Sequence, residues 1–400
     1  MLCVLQEVDT ASLVTVKPII ICHIIIGLET GGAERMLARL VTAVASSKEF
    51  DVHVISLTTL GVIGRELQRD GVKVSTVGWR GVADTPLMLV RLAGELIKLK
   101  PDIVQTWMYH ADLFGGVVAR LVGIRSVIWG IRASVLPENA PLTTRLARSV
   151  CALLSGSVPK TIICNSETGK SFHQRIGYSS QRLLVIPNGF EMKIFSEDQS
   201  SRRYLRDNWQ VQPTEKLIGM VGRDSPDKNP VGFLEAVAKV FERTGNAKAV
   251  MVGRGFTREN ERLTAFIERL GVSDRVVLAG ERADIAGVMT ALDVFVLPSL
   301  SEGFPNVVAE AMAMKKICVV TDVGDAGEIV GECGIIVAPG DPEAVSNGIM
   351  AALKLSTAAT VDLGYRARER IQSKFSLHSI TEQFCDVYRQ LVLRSRQRDS

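Results

Sequence analysis

Metal-binding signatures are missing from this sequence. Its seven cysteines form no Cys-x-x-Cys pair, no Asp-x-Asp occurs, and its five histidines show no ligand spacing. Neither a zinc site nor a carboxylate-held divalent ion is indicated, so no metal is expected in the chemistry. An odd cysteine count with no disulfide-like framework favours a reducing compartment. Cys22, Cys164 and Cys318 sit inside apolar runs, where cysteine serves as a small hydrophobe. The net charge is only +4, and no basic run is interleaved with aromatics, which argues against nucleic acid as a partner. The longest early apolar stretch, 19–28, is interrupted by His23 and is too short to span a bilayer. Residues 1–17 lack a basic segment followed by an apolar core, so no secretory signal is expected and the cytoplasm is the expected location. No tandem repeat or low-complexity tract is present.

What is present is a regular alternation of apolar strands and helical segments. Strands are expected at 18–26, 52–57, 72–77, 103–106, 127–129 and 161–164, then again at 216–222, 250–252, 276–278 and 293–297. Continuous apolar strands alternating with helices imply parallel sheets covered on both faces. At 400 residues there is room for two such α/β domains. The turn Pro187-Asn188-Gly189 ends the first series, which sets the boundary near residue 190: an N-terminal domain over 1–190 and a C-terminal one over 191–375. A last helix, 376–400, is expected to return onto the first domain. In doubly wound sheets ligands bind at the carboxyl ends of the strands, so the loops there carry the functional argument.

The most informative loop is Ser299-Leu300-Ser301-Glu302-Gly303-Phe304-Pro305-Asn306, which follows the strand ending at Leu297 and opens a helix containing Glu310. Pro305 stands where a first helical residue is expected. A helix start offers free N–H groups and the positive end of a dipole, which suits a diphosphate. Carboxylates on either side, Glu302 and Glu310, accept hydrogen bonds from sugar hydroxyls. Across the same half, Arg223 and Lys228 share the loop after strand 216–222. A planar fork and a mobile point charge together suit a diphosphate whose charge grows as it leaves. In the first half, Gly31-Gly32 lets backbone approach a phosphate or sugar, although it is not a Gly-x-Gly-x-x-Gly fingerprint and gives an NAD site only weak support.

Other loops say less through their residues alone. His110 ends a strand facing the crevice, and Asp112 is expected to cap the helix that follows. Arg132 is open to two readings, an anion contact or a surface arginine. Asn165-Ser166-Glu167 reads as a helix cap. The segment 141–159 places Leu142, Leu146 and Leu153 on one helical face, and a core helix is the favoured reading over a membrane-resting one. The turns at 321–325 and 337–341 carry no assigned chemistry.

The run Glu302-Gly303-Phe304-Pro305-Asn306 through Glu310 resembles the Glu-x7-Glu motif of the retaining glycosyltransferases of family 4, the glycosyl transferases group 1. Gly31-Gly32-Ala33-Glu34-Arg35 is similar to that family's glycine-rich loop, Arg223 and Lys228 to its diphosphate-binding cations, and His110 to its sugar-side histidine. The resemblance implies a GT-B fold, two Rossmann-like domains facing across a cleft. It implies a catalytic set of Glu302, Arg223, Lys228 and His110. Donor binding would fall to Gly31, Gly32, Gly303, Phe304, Pro305, Asn306 and Glu310, with Arg282 in the nucleobase loop 280–285. No cofactor is implied, a nucleoside-diphosphate sugar being the co-substrate, with a UDP-sugar favoured over a GDP-sugar. The acceptor would be a glycan or lipid-linked hydroxyl, and peripheral membrane contact at the inner face of the plasma membrane is part of the family pattern. The implied activity is retaining, metal-independent glycosyl transfer in surface polysaccharide, lipopolysaccharide or lipid-linked glycan synthesis. Two alternatives stay open: a GT-B nucleotide-sugar epimerase and a catalytically silent nucleotide-sugar-binding scaffold.

Overall fold

The computed structural model describes residues 17–132, 136 and 140–399. The segment 1–16, on which the expectation of no secretory signal falls, lies outside the described residues.

The first half carries seven strands: β1 (Ile19–Ile25), β2 (Phe50–Ser56), β3 (Lys73–Thr76), β4 (Ile103–Trp107), β5 (Val127–Ile131), β6 (Thr161–Cys164) and β7 (Leu183–Val185). They pair in the order β3-β2-β1-β4-β5-β6-β7, all parallel. Between them run α1 (Gly32–Ala45), α2 (Gly61–Arg69), α3 (Thr85–Leu99), α4 (Tyr109–Leu121), α5 (Leu142–Leu154) and α6 (Glu167–Arg175). The second half carries β8 (Lys216–Val221), β9 (Ala247–Val252), β10 (Val276–Leu278), β11 (Val294–Leu297), β12 (Ile317–Thr321) and β13 (Ile335–Val337), in the parallel order β10-β9-β8-β11-β12-β13. Its helices are α7 (Gln199–Asn208), α8 (Pro230–Arg243), α9 (Glu261–Arg269), α10 (Ile285–Ala291), α11 (Asn306–Ala313), α12 (Ala326–Val330), α13 (Pro342–Leu353), α14 (Thr357–Lys374) and α15 (Leu377–Asp399).

The central strands are unbroken apolar runs because both of their faces are covered. β4, β5 and β12 are buried throughout. Each fully buried Ile or Val contributes about 1.5–3 kcal/mol over an exposed one, so such strands settle only in the middle of a sheet. One cluster beneath the first sheet includes Ile21, Met36, Leu40 and Trp107, and a second on its other face includes Met88, Leu92 and Trp129.

The halves are joined twice. Phe190 N donates to Phe375 O at 2.9 Å and Leu377 N to Phe190 O at 2.8 Å, so outgoing and returning chain pair side by side. Helix α15 then lies on the first half: Ile380, Phe384 and Tyr388 are fully buried in the cluster of Ile25 and Trp107. Tyr388 OH donates to Gln105 Oε1 at 2.6 Å. Among the described residues no helix is long and apolar enough to cross a membrane.

Candidate active site

Both sheets reverse their strand order beside their first strand: β1 lies between β2 and β4, and β8 between β9 and β11. Loops leaving adjacent strands at such a point diverge to opposite faces and open a crevice. In the first half, Gly31 stands on the loop after β1 and Gly32 opens α1, while His110 does not end a strand as expected: β4 stops at Trp107 and His110 is the second residue of α4. In the second half these loops carry Arg223, Lys228 and Glu302.

At the second crevice, Lys228 Nζ donates to Glu302 Oε1 at 2.6 Å, and Ser299 Oγ donates to the same oxygen at 2.7 Å. The two charged side chains are 19% and 7% exposed. Local backbone geometry sets this up. Residues Pro226–Lys228 form a tight 3-10 turn, and Asn229, with φ of 52°, caps α8 through Gly232 N while its Nδ2 donates to Pro298 O. Leu300 N donates to Asp227 O at 2.8 Å, so the two loops are tied by backbone as well as by charge. Both bonds to Glu302 fall on Oε1, and among the described residues none reaches Oε2. Arg223 does not join this pair. Its side chain is 63% exposed and turns its guanidinium outward to Asp227 at 3.3 Å and Ser225 at 3.2 Å. The cause is local: polar side chains within four residues hold it at the surface.

Helix α11 begins at Asn306, and Pro305 stands outside it as the N-cap, one position earlier than expected from the sequence. Asn306 Oδ1 accepts from Asn188 Nδ2 at 2.8 Å, and Asn188 Oδ1 accepts from Arg132 Nη1 at 3.2 Å. This relay crosses from one half to the other. Helix α1 begins at Gly32, four residues earlier than the apolar periodicity suggests, so a second helix start faces the crevice. A Cβ on Gly32 would stand 3.9 Å from Asn306 Nδ2, which shows how closely the glycine loop approaches α11. Phe304 requires a correction: its ring stacks on Phe190 at 6.2 Å and meets Phe375 edge-on at 5.7 Å, so its side chain belongs to the core under the hinge. Gly303 O is engaged by Asp325 N at 2.8 Å.

Glu310 lies one turn into α11. Burial raises its carboxyl above the ordinary value, against the pull of the Arg39 guanidinium. Arg39, on α1 of the first half, donates to Gly189 O at 3.4 Å and lies 5.8 Å over the Phe190 ring. Sequence reasoning passes over Arg39 because α1 reads as a core helix; the available signal is a cation one turn beyond Arg35 on a helix opened by paired glycines. Arg282 is half-buried, and its Nε has no hydrogen-bond partner among the described residues. His110 is half-buried between Trp79 at 6.2 Å and Phe114 at 6.4 Å, and burial holds its imidazole below the ordinary value.

Two further expectations are overturned. Asp112 does not cap α4. Its Oδ1 accepts from Thr106 Oγ1 at 2.5 Å and Gly130 N at 3.2 Å, stitching β4 to β5, and burial pushes it up from 3.8 to about 8. An acid held above its unfolded value contributes stability that is present in full below about pH 4 and is lost as pH rises towards 8. Asp112→Asn is therefore expected to flatten the fall in stability between pH 5 and 8, a slope of up to about 1.4 kcal/mol per pH unit. Parallel pH-dependent melts of the two proteins check this, and identical slopes would refute it. Second, α5 buries Ala147 and Cys151, whereas Leu142, Leu146 and Leu153 are 79%, 65% and 84% exposed, so its leucine stripe faces out of the core.

Two parallel-sheet halves whose switch-point loops meet across a crevice define the GT-B class of fold. Two family models match successive stretches, one described as Glycosyltransferase Family 4 over residues 30–193 and one as Glycosyl transferases group 1 over 215–354. Together they take in most of the chain, and the chain belongs to this glycosyltransferase family. It is 27% identical over 238 residues to a UDP-Gal:alpha-D-GlcNAc-diphosphoundecaprenol alpha-1,3-galactosyltransferase of Escherichia coli, covering 59% of this chain and 61% of that one. It is 25% identical to the capsular polysaccharide biosynthesis glycosyltransferase CapM of Staphylococcus aureus, covering 87% and 92%. The match thus spans less than two thirds of the first relative's length. Among solved structures, Anabaena HepE in complex with UDP superposes with a TM-score of 0.81 at 21% identity, covering 92% of this chain and 99% of that one. The glycosyltransferase WaaG of lipopolysaccharide biosynthesis superposes at 0.66 and 17%, covering 92% and 99%.

Proposed function

We propose that this chain transfers a glycosyl group from a nucleoside-diphosphate sugar, UDP-linked in preference to GDP-linked, to a hydroxyl of a glycan or lipid-linked acceptor in surface polysaccharide or lipopolysaccharide assembly. The observation that carries the reading is the Lys228–Glu302 pair at the switch point of the second sheet, beside the start of α11 and facing the Gly32 loop. In this reading the bond from the anomeric carbon to the diphosphate oxygen breaks while the acceptor oxygen bonds to the same face. The acceptor proton passes to the departing phosphate oxygen, and configuration is retained. Lys228 and the first N–H groups of α11 stabilise the charge that builds on that oxygen, a task for which no divalent ion is required. Glu302 accepts from a sugar hydroxyl through Oε2, and Glu310 from the ribose.

The test is a thermal-shift panel of UDP, GDP and NAD, followed by transfer assays with and without chelator. A native-state ligand at a hundred times its Kd adds about 2.7 kcal/mol of stability. UDP is expected to raise the melting midpoint most, and the product is expected to keep the donor's anomeric configuration in EDTA. A panel in which no nucleoside diphosphate shifts the midpoint sinks the proposal.

A further inference from the structure

The loop between β12 and α12 bears on both halves at once. Asp325 in that loop is only 7% exposed, yet its carboxylate reaches into the first half. Its Oδ2 accepts from Glu167 N at 2.8 Å and its Oδ1 from Thr168 N at 3.1 Å. These are the opening N–H groups of α6, the positive end of its dipole. Ser166 Oγ takes the next one, Gly169 N, at 2.9 Å. The helix's own cap and a borrowed one together satisfy its first three donors. Within the second half, Asp325 N donates to Gly303 O at 2.8 Å. Gly324, with φ of +58°, packs so closely on the neighbouring loop that a Cβ there would stand 2.6 Å from the carbonyl oxygens of both Glu302 and Gly303.

We infer that Asp325 is a positioning residue that ties closure of the two halves to the placement of Glu302. The inference rests on the donor-site reading above. When the halves are together, the carboxylate receives two charge-assisted hydrogen bonds from a helix start in an enclosed setting. When they part, α6 loses both acceptors and the carboxylate must be rehydrated, so the arrangement seen here is favoured. Closure is transmitted along a short path: from Asp325 through its own N–H to Gly303, and from there to the neighbouring Glu302. Aspartate suits the role because each of its two oxygens takes one N–H, whereas asparagine offers a single acceptor oxygen.

The test removes the contact from the opposite side. Glu167→Pro deletes the N–H that donates to Asp325 Oδ2 without altering any residue of the second half. Proline is well tolerated at a first helical position. Ser166, at φ −152° and ψ 149°, already has the extended backbone that a residue before proline adopts. Small-angle scattering of the unliganded protein and UDP titration are measured for Glu167→Pro, Asp325→Ala, Asp325→Asn and the Glu167→Pro/Asp325→Ala pair. The expected result is a larger radius of gyration and about tenfold weaker UDP binding in both Glu167→Pro and Asp325→Ala. Asp325→Asn should fall between them and the unaltered protein, and the pair should be no worse than Asp325→Ala, because both changes break one contact. An unaltered radius and affinity in Glu167→Pro overturns the inference, since Asp325 would then act only through its own half. If Asp325→Ala does not fold, Glu167→Pro and Asp325→Asn distinguish the same two outcomes. Failure of the unaltered protein to bind UDP counts against the donor-site reading, while the scattering comparison still tests the contact itself.

Discussion

Lys228→Ala is expected to lower turnover by about 10²–10³-fold, the usual consequence of removing one preorganised donor from a developing anion. The lysine side chain is 19% exposed and its ammonium is held at 2.6 Å from Glu302, so its charge is less screened than that of a surface lysine. Because the charge it meets grows as the diphosphate departs, kcat should fall more than the KM for the donor rises. The change also leaves Glu302, 7% exposed, with only the Ser299 hydroxyl as a donor among the described residues, and a buried carboxylate that loses its cation costs about 1–3 kcal/mol. Glu302→Gln in the same protein separates the two effects: it should restore much of the melting midpoint and none of the turnover. Initial rates and melts on the single and double variants measure both. Turnover within about threefold of the unaltered protein would contradict the assigned role, given the loss expected for a missing donor.

Gly253→Ala is expected to be the most damaging single methyl in the second half. Gly253 follows β9 with φ of +137°, and a Cβ there would lie 1.6 Å from Gly222 O. Gly222 follows the β8 strand immediately before Arg223, and its N donates to Val252 O at 2.9 Å. The alanine methyl must therefore push the backbone that launches the Arg223–Lys228 loop. Backbone strain costs about 1–3 kcal/mol and forced displacement of packed atoms about as much again, for a total of about 2–6 kcal/mol. Calorimetry should show the second half melting earlier, and the protein that remains folded should turn over more slowly. An unshifted melting profile would show that the loop yields freely.

Much of the architecture can be read before any coordinates, for a physical reason. Buried parallel strands such as Val294–Leu297 and Thr161–Cys164 are unbroken apolar runs that end at turn residues, so their ends, and with them the switch-point loops, are marked in the chain. Lys228 and Glu302 are legible because each stands just after such an end. What escapes reading depends on contacts distant in sequence. Asp112 looks like a cap by position, but its carboxylate is turned to Gly130 on the next strand. Phe304 sits amid ligand-facing residues, yet its ring is drawn into the core by Phe190 and Phe375. Arg223 stands on the expected strand-end loop, but the neighbouring Asp227 holds it outward. The leucines of α5 have helical periodicity, which reveals a shared face without saying which side of the helix meets the sheet. Asp325 carries no local signal, since its partners are 157 and 158 residues away.

Helix α15 has a consequence for how the molecule is made. Ile380, Phe384 and Tyr388 fill the underside of the first sheet, so the first half stays open along that seam until residues 380–388 have left the ribosome. The half synthesised later, closed by Phe375, can finish sooner. Order of synthesis and order of completion therefore run in opposite directions, and the nascent chain must shelter an unfilled apolar groove while its second half is being made.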